Sequence, residues 1–366
     1  MSSLHLTSED HEKDLSSAVA SWLVRNATGA PDETTPDESA VLWRKAEAEL
    51  GLAGLLVPEK LGGQGAGPRE AAVVAGLLGT HLAPVPFIHR AAIANTLVAA
   101  VSQDTALVEA AATGERLLAV AVPQTRFFAD DQFTGAELDG SGRVSGTVHG
   151  VVAVLDATDV VVPARSADGP VLVLVPTSDP AVQVSRELAL DETRPVATVT
   201  ITGAVGTVLA AGEDAARALH DALLLGVALL SAEQTGLALA SLDATVAYSK
   251  ERRQFGRPIG SFQSLKHRMA ELWLASTSAE AASLAAADSL AQDHPDAERI
   301  VCTAAAYAGD AAVKVTEERL QLRGGIGMTW EDPTHLYVKR AKSDQVTLGT
   351  TGHLLQHLAP LAGLTP

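Results

Sequence analysis

The chain has 366 residues, 47% of them apolar, and a formal net charge of −17. That length and apolar content allow two or three folded units, and the acidic balance argues against a nucleic-acid or anionic-membrane partner. A single cysteine, Cys302, excludes an intrachain disulfide framework and a cysteine-based zinc cluster.

The start, Met1 to His5, has no basic stretch followed by an apolar core, so no secretory signal is expected. The first third reads as helices. Thr35, Pro36 and Glu38 form a capping box, with Thr35 as the cap, Pro36 at the first helical position and Glu38 reaching back. Val41, Leu42, Ala46 and Leu50 then recur at helical spacing until Gly51. Two further apolar, alanine-rich segments cover 69–79 and 91–101.

After Gly114 the character changes. Segments 117–122, 151–155, 160–163, 171–175 and 197–201 are short and β-branched, and turn residues such as Asp139-Gly140-Ser141-Gly142 separate them. This predicts a small antiparallel sheet domain. Helices return from about Ala211, over 217–249, 264–292 and 296–322, with a last one over 351–361. The most apolar run, Ala222 to Leu242, is broken by Glu233 and Gln234 and reads as a buried bundle helix rather than a membrane span. The expectation is a soluble, cytoplasmic α+β protein, mostly α, with a helical domain (1–114), a β domain (115–210) and a helical bundle (211–366).

Two motifs carry chemistry. In "KERRQFGRPI", from Lys250, Arg252 at a helix end can grip a diphosphate through two parallel hydrogen bonds, and Phe255 with Phe262 can line the apolar part of a nucleotide. The plainer reading is a solvated basic helix terminus favoured by the macrodipole. In "QLRGGIG", from Gln321, the pair Gly324-Gly325 permits positive φ and a close approach to the backbone, although a helix C-cap would look the same. Neither is the strand-to-helix GxGxxG fingerprint, so a Rossmann site is not indicated.

Taken in order with "GLAGLLVPEKLGGQGAG" (51–67), "KERRQFGRPIGSFQSLKHRMAEL" (250–272) and "QLRGGIGMTWEDP" (321–333) make the chain resemble the acyl-CoA dehydrogenase family. The resemblance implies an N-terminal helical domain, a middle β-barrel-like domain and a C-terminal four-helix bundle. It also implies FAD as cofactor, an acyl-CoA thioester as substrate and electron-transfer flavoprotein as oxidant. A carboxylate removes the α proton while the β hydrogen leaves as hydride to flavin. In this family each FAD crosses a subunit interface: one chain offers the β-domain pocket and its neighbour the diphosphate and adenosine contacts. By motif the second set is Arg252, Phe255, Gln321, Gly324 and Gly325, continued by Gly349 and Thr350.

The chain departs from the family pattern at the base. Its commonest seat, before the Gly-Thr of the final loop, holds Leu348; the alternative seat on the bundle helix holds Gly226, with Val227 where Arg is usual. Asp221 and Glu233 are the nearest acids, and both read first as capping or solvated residues, with Glu233 the weak candidate for a displaced base. In the β domain the family's glycine-rich flavin loop is replaced by "AVAVPQTRFFADDQF" (119–133), and Gly150 and Val152 stand where a Trp-Ile-Thr packs on the ring. The half-site offered to a neighbour is thus kept, and the chain's own half-site is lost. That pattern resembles the base-lacking subunit of actinobacterial α2β2 acyl-CoA dehydrogenases acting on steroid side chains, which implies a second acyl-CoA dehydrogenase-like chain as partner in a heterotetramer. The alternatives are a self-sufficient homotetramer using Glu233 and a flavin-free structural relative.

Other groups look bland. His5 and His11 lie near the start, and His353 and His357 share a helix face but lack a third ligand, so no metal site is expected. Ser261 and Ser264 have no nucleophile-elbow context. Asp191-Glu192-Thr193-Arg194 reads as a turn facing the bundle, with Arg194 packing or pairing.

Overall fold

The computed structural model describes Leu4, Thr7 and residues 9–27 and 36–364; Thr35 of the capping box and His5 lie outside the described residues. The N-terminal helices are α1 (Asp10–Asn26), α2 (Pro36–Leu50) and α3 (Pro68–Thr80), then a π-helical stretch Ile88–Asn95 running into α4 (Thr96–Val101), and α5 (Thr105–Ala112). In α2 the buried positions are Ala40, Trp43 and Ala46, whereas Val41 points to solvent. Pro68 starts α3 at its first turn, and the Glu70 carboxylate reaches back to the Gly67 N–H at 2.9 Å.

The strands are β1 (Leu118–Val120), β2 (Ala136–Leu138), β3 (Arg143–Val152), β4 (Asp159–Ser166), β5 (Gly169–Pro176), β6 (Val182–Arg186), β7 (Val196–Val205) and β8 (Thr207–Ala211). They form one sheet in the order β6-β7-β3-β2-β4-β5-β8, with β1 beside β4. The sheet is mixed rather than antiparallel, because β1 and β2 both run parallel to β4. The strand expected at 151–155 is instead the end of β3, and the chain turns away at Ala153. β4 and β5 are continuously apolar because they are covered on both faces. Val161, Leu172 and Leu174 join the helical core, while Val160, Val162, Val171 and Val173 face the sheet's own core.

The C-terminal part comprises α6 (Gly212–Glu251), a short hairpin of β9 (Arg253–Gln254) and β10 (Arg257–Pro258), α7 (Gln263–Ala291), α8 (Ala297–Arg323), α9 (Thr334–Val346) and α10 (Thr351–Leu361). Among the described residues only α6 is long and apolar enough to cross a membrane, but 89% of its apolar window is buried inside the protein. Glycines let α3 cross α6 backbone to backbone: a Cβ on Gly236 would stand 2.0 Å from the Gly76 carbonyl oxygen, and one on Gly79 2.2 Å from that of Glu233. The largest apolar cluster runs from Val19 through the N-terminal helices to Leu348 and Leu354. The two helical parts therefore share one core.

Candidate functional site

The final loop, between α9 and α10, meets α6 at the two seats where a base is looked for. Leu348 has φ 56° and is buried, and a Cβ on Gly226 would lie 3.2 Å from Leu348 Cδ1 and 2.7 Å from Ile93 Cδ1. Positions far apart in sequence thus adjoin, and hydrocarbon fills the space between them. The residual void beside Val227, Leu230, Gln234, Thr347 and Leu348 is about 10 Å3, room for one water at most. Asp221 is exposed.

Loop 123–133 is bonded to the final loop. The Gln124 carbonyl accepts from the Leu348 N–H (2.8 Å), and the Leu348 carbonyl accepts from the Phe128 N–H (3.1 Å). The Gln124 amide donates to Ser343 Oγ (3.2 Å) and Thr347 Oγ1 (2.9 Å). Phe127 stacks edge-on with Phe128 and lies so close to Gly349 that a Cβ there would come within 2.4 Å of the ring. Gly349 is required for that approach as well as for its φ of 127°.

Beside this clamp lies an open groove of about 710 Å3, lined in part by Gln124, His149, Gly150, Leu190, Lys342 and Val346, with no aromatic ring other than the His149 imidazole. Val152 is not on this groove. The β3–β7 ladder shifts register between Val148 and Val151, and the bulge turns Val152 toward a different cavity beside α2. The expectation that Gly150 and Val152 face one ring is corrected accordingly. Apart from the His149 imidazole the groove offers a planar flavin ring no aromatic side chain, and the Gln124 Nε2 is already engaged by Ser343 and Thr347.

At the far end of the bundle the diphosphate set divides. Arg252 caps α6, exposed, and the β9–β10 turn projects Phe255 (φ 52°, 91% exposed) and Gly256 (φ 77°), as a tight hairpin with two left-handed residues requires. Phe255 meets Phe262 edge-on at 6.1 Å. The Tyr248 hydroxyl donates to the Arg323 carbonyl at 3.3 Å, which joins the ends of α6 and α8, the helices that carry Arg252 and Gln321 with Gly324 and Gly325. Gly349 and Thr350 do not join them. Thr350 caps α10, and Thr351 bonds Asp310 of α8, about 20 Å before Gly324 at the helical rise of 1.5 Å per residue. Gly325 has neither a positive φ nor any neighbour within 4 Å of a built Cβ.

Glu233 is buried in a charge network. Its Oε1 accepts from Arg194 Nη2 and Arg340 Nη1, each at 2.5 Å; Arg194 also binds Asp344, and Arg340 binds Asp191 and Thr193. Arg194 pairs structurally, as expected of its turn. Burial pushes the Asp344 carboxyl up to about 7, with Arg194 opposing and Glu233 reinforcing the shift. Burial also raises Asp191, but Arg340 and Arg194 outweigh it and leave that carboxyl lowered. Burial, then the two guanidiniums, pushes His89 well below the usual imidazole range.

Both histidines of α10 pack against Phe127, and His357 Nε2 also lies 2.7 Å from Glu298 Oε1, with His220 Nε2 3.9 Å from the same oxygen. Glu298 and His220 thus stand beside His357 but not beside His353. His11 bonds Glu70 at 2.7 Å, and nearby Glu12 is held by Arg69. The residues missed from sequence are Ile93, Gln124, Phe127, Arg340 and Asp344. Arg340 and Asp344 stand four apart, a helical charge pair that could have revealed α9.

A family model described as "Acyl-CoA dehydrogenase, N-terminal domain" matches residues 9–112, and one described as "Acyl-CoA dehydrogenase, C-terminal domain" matches 216–360. Acyl-CoA dehydrogenase IpdE2 of Mycolicibacterium smegmatis is 35% identical over 319 residues, 87% of this chain and 86% of the relative. Acyl-CoA dehydrogenase FadE34 of Mycobacterium tuberculosis is 34% identical over 352 residues, 94% of this chain, yet the match spans only 45% of FadE34. Among solved structures, the ChsE4–ChsE5 complex of Mycobacterium tuberculosis aligns with a TM-score of 0.86 at 26% identity, over 99% of this chain and 100% of that one. The Tcur3481–Tcur3483 steroid ACAD aligns with 0.84 at 26%, over 97% and 98%.

Proposed function

The chain belongs to the acyl-CoA dehydrogenase family, and from that premise we propose that it is the base-lacking subunit of a heteromeric, FAD-dependent acyl-CoA dehydrogenase. The observation that carries this reading is the hydrocarbon packing of Leu348 and Ile93 over Gly226. No proton acceptor stands where the family's carboxylate would work. Glu233 does not replace it, because its carboxylate is buried between Arg194 and Arg340.

FAD, when bound, supplies the hydride acceptor for α,β-dehydrogenation. This chain's residues fit one half of its environment. The Arg252 guanidinium, the Gln321 amide and the open backbone at Gly324-Gly325 suit a diphosphate and adenosine presented from outside. The groove by Gly150 does not fit the ring, so a partner chain would supply ring pocket and base. Gly349 and Thr350 serve the chain's own final loop in this reading, rather than the partner's cofactor.

Three likenesses favour this division of labour. Two structures with similar folds are complexes of two differently named chains. FadE34 has room for a second set of the same domains in one polypeptide, which here a separate partner would provide. The steroid ACAD favours a bulky, ring-bearing acyl group. Electron-transfer flavoprotein as oxidant completes the proposal by family resemblance, and a cytoplasmic location by the acidic, globular composition.

The test is to purify the chain alone, add FAD, desalt and record the visible spectrum, then repeat with an acyl-CoA dehydrogenase-like partner. A colourless protein that becomes yellow and active only with the partner is expected. A lone chain that keeps equimolar FAD and dehydrogenates an acyl-CoA would sink the reading.

A further inference from the structure

A second cavity, of about 350 Å3, lies between α2, the Pro84–Pro86 turn, the β3–β4 loop and Thr193–Pro195. No residue of α6 or of the final loop lines it, so it is separate from the seats of the missing base. Its walls are hydrocarbon from Val41, Pro84, Pro86, Val152, Leu155 and Pro195. Nearly every polar group there is already engaged. Ser39 Oγ donates to the Pro84 carbonyl, Thr193 bonds Asp191 and Arg340, Arg194 holds Glu233 and Asp344, and Asp156 is forked by Arg90.

Arg44 is the exception. It is exposed at the rim and makes no ion pair or side-chain hydrogen bond among the described residues. Val41, one turn earlier on the same helix face, is an apolar side chain 63% exposed at the same mouth. An unpartnered cation beside exposed hydrocarbon, over an apolar hollow, matches a molecule with one anionic end and an apolar body.

The hollow is also held open. Ala153 sits at φ 62°, a conformation a non-glycine residue seldom adopts. Its carbonyl accepts from Arg90 Nη2 at 2.8 Å, and the same guanidinium, itself 1% exposed, grips Asp156 at 2.5 and 3.2 Å. The wall is fixed by a buried fork rather than free to collapse.

We propose that this cavity binds a small amphipathic carboxylate, with its chain among the Pro84–Pro86 and β3–β4 walls and its carboxylate on Arg44. The probe is decanoate, titrated into the purified full chain and read by calorimetry and by tryptophan fluorescence. Trp43 adjoins Arg44, and its ring lies 5.6 Å from the Arg90 guanidinium. Saturable one-site binding is expected, weakened about tenfold in Arg44→Ala, largely kept in Arg44→Lys, and weakened again in Val41→Asp. Both positions are exposed, so folding is retained, which a thermal melt verifies. Binding that never saturates, or that both variants leave unchanged, overturns the site. Decanol binding as tightly as decanoate overturns the assignment of a carboxylate to it.

Discussion

At the residue scale the network around Glu233 has an odd charge count. Three carboxylates (Asp191, Glu233, Asp344) face two guanidiniums (Arg194, Arg340) out of water, and Asp344 Oδ2 has no hydrogen-bond partner. Burial first, reinforced by the neighbouring Glu233 and Asp191 and opposed by Arg194 and Arg340, raises the Asp344 carboxyl to about 7, and a proton there removes the surplus negative charge. The folded protein thus holds this proton more tightly than the unfolded chain. Its stabilising effect is complete below about pH 4, the ordinary carboxylate range, and is lost as pH rises to about 7. Asp344→Asn keeps the group neutral throughout. The melting temperature of the wild type relative to this variant should therefore fall between pH 5 and pH 8, and a constant difference would place the proton elsewhere.

At the element scale the crossing of α3 and α6 decides how the long helix sits. Gly236→Ala gains helix propensity of at most about 1 kcal/mol, yet sets a methyl 2.0 Å from a backbone oxygen that no side-chain rotation can move. The clash prevails, and urea unfolding should show a net loss of about 1–3 kcal/mol. The elements themselves were unevenly legible. The spans of α6, α7, α8 and α10 could be read because their apolar residues recur at helical spacing, and for α8 because Gly324 caps the end. α9 has no apolar stripe, and the spacing of Arg340 and Asp344 is its one signal; both are buried as partners of a distant turn and, for Arg340, of Glu233. β2 and β6 are short strands without a continuous apolar run, and β8 is a short edge strand whose few apolar residues stay partly exposed. The helix ends that carry Arg252 and Gly324 could be placed from sequence, but the surroundings of the final loop could not: Phe127 closes on Gly349 and Asp310 bonds Thr351, remote contacts that no spacing discloses.

At the scale of the whole molecule, Gly325 separates folding from assembly. Among the described residues nothing lies within 4 Å of a side-chain Cβ there, so Gly325→Val should leave the melting temperature of the isolated protein within about a degree or two, consistent with the small effects of substitutions that touch nothing. Flavin retention by the mixture with the partner should nevertheless drop severalfold, as measured by absorbance after gel filtration. Equal retention would mean that this end of the bundle approaches no cofactor.

The shared helical core also bears on synthesis. Trp22, Trp43 and Leu97 pack in one cluster with Leu223, Val301 and Leu348, so the helices made first have no complete core until the last have left the ribosome. The β core, from Ala119 to Ala204, is closed by residues near one another in sequence. Contacts of short sequence separation form fastest, so the β core is expected to consolidate before the helical core, whose two halves must meet across it.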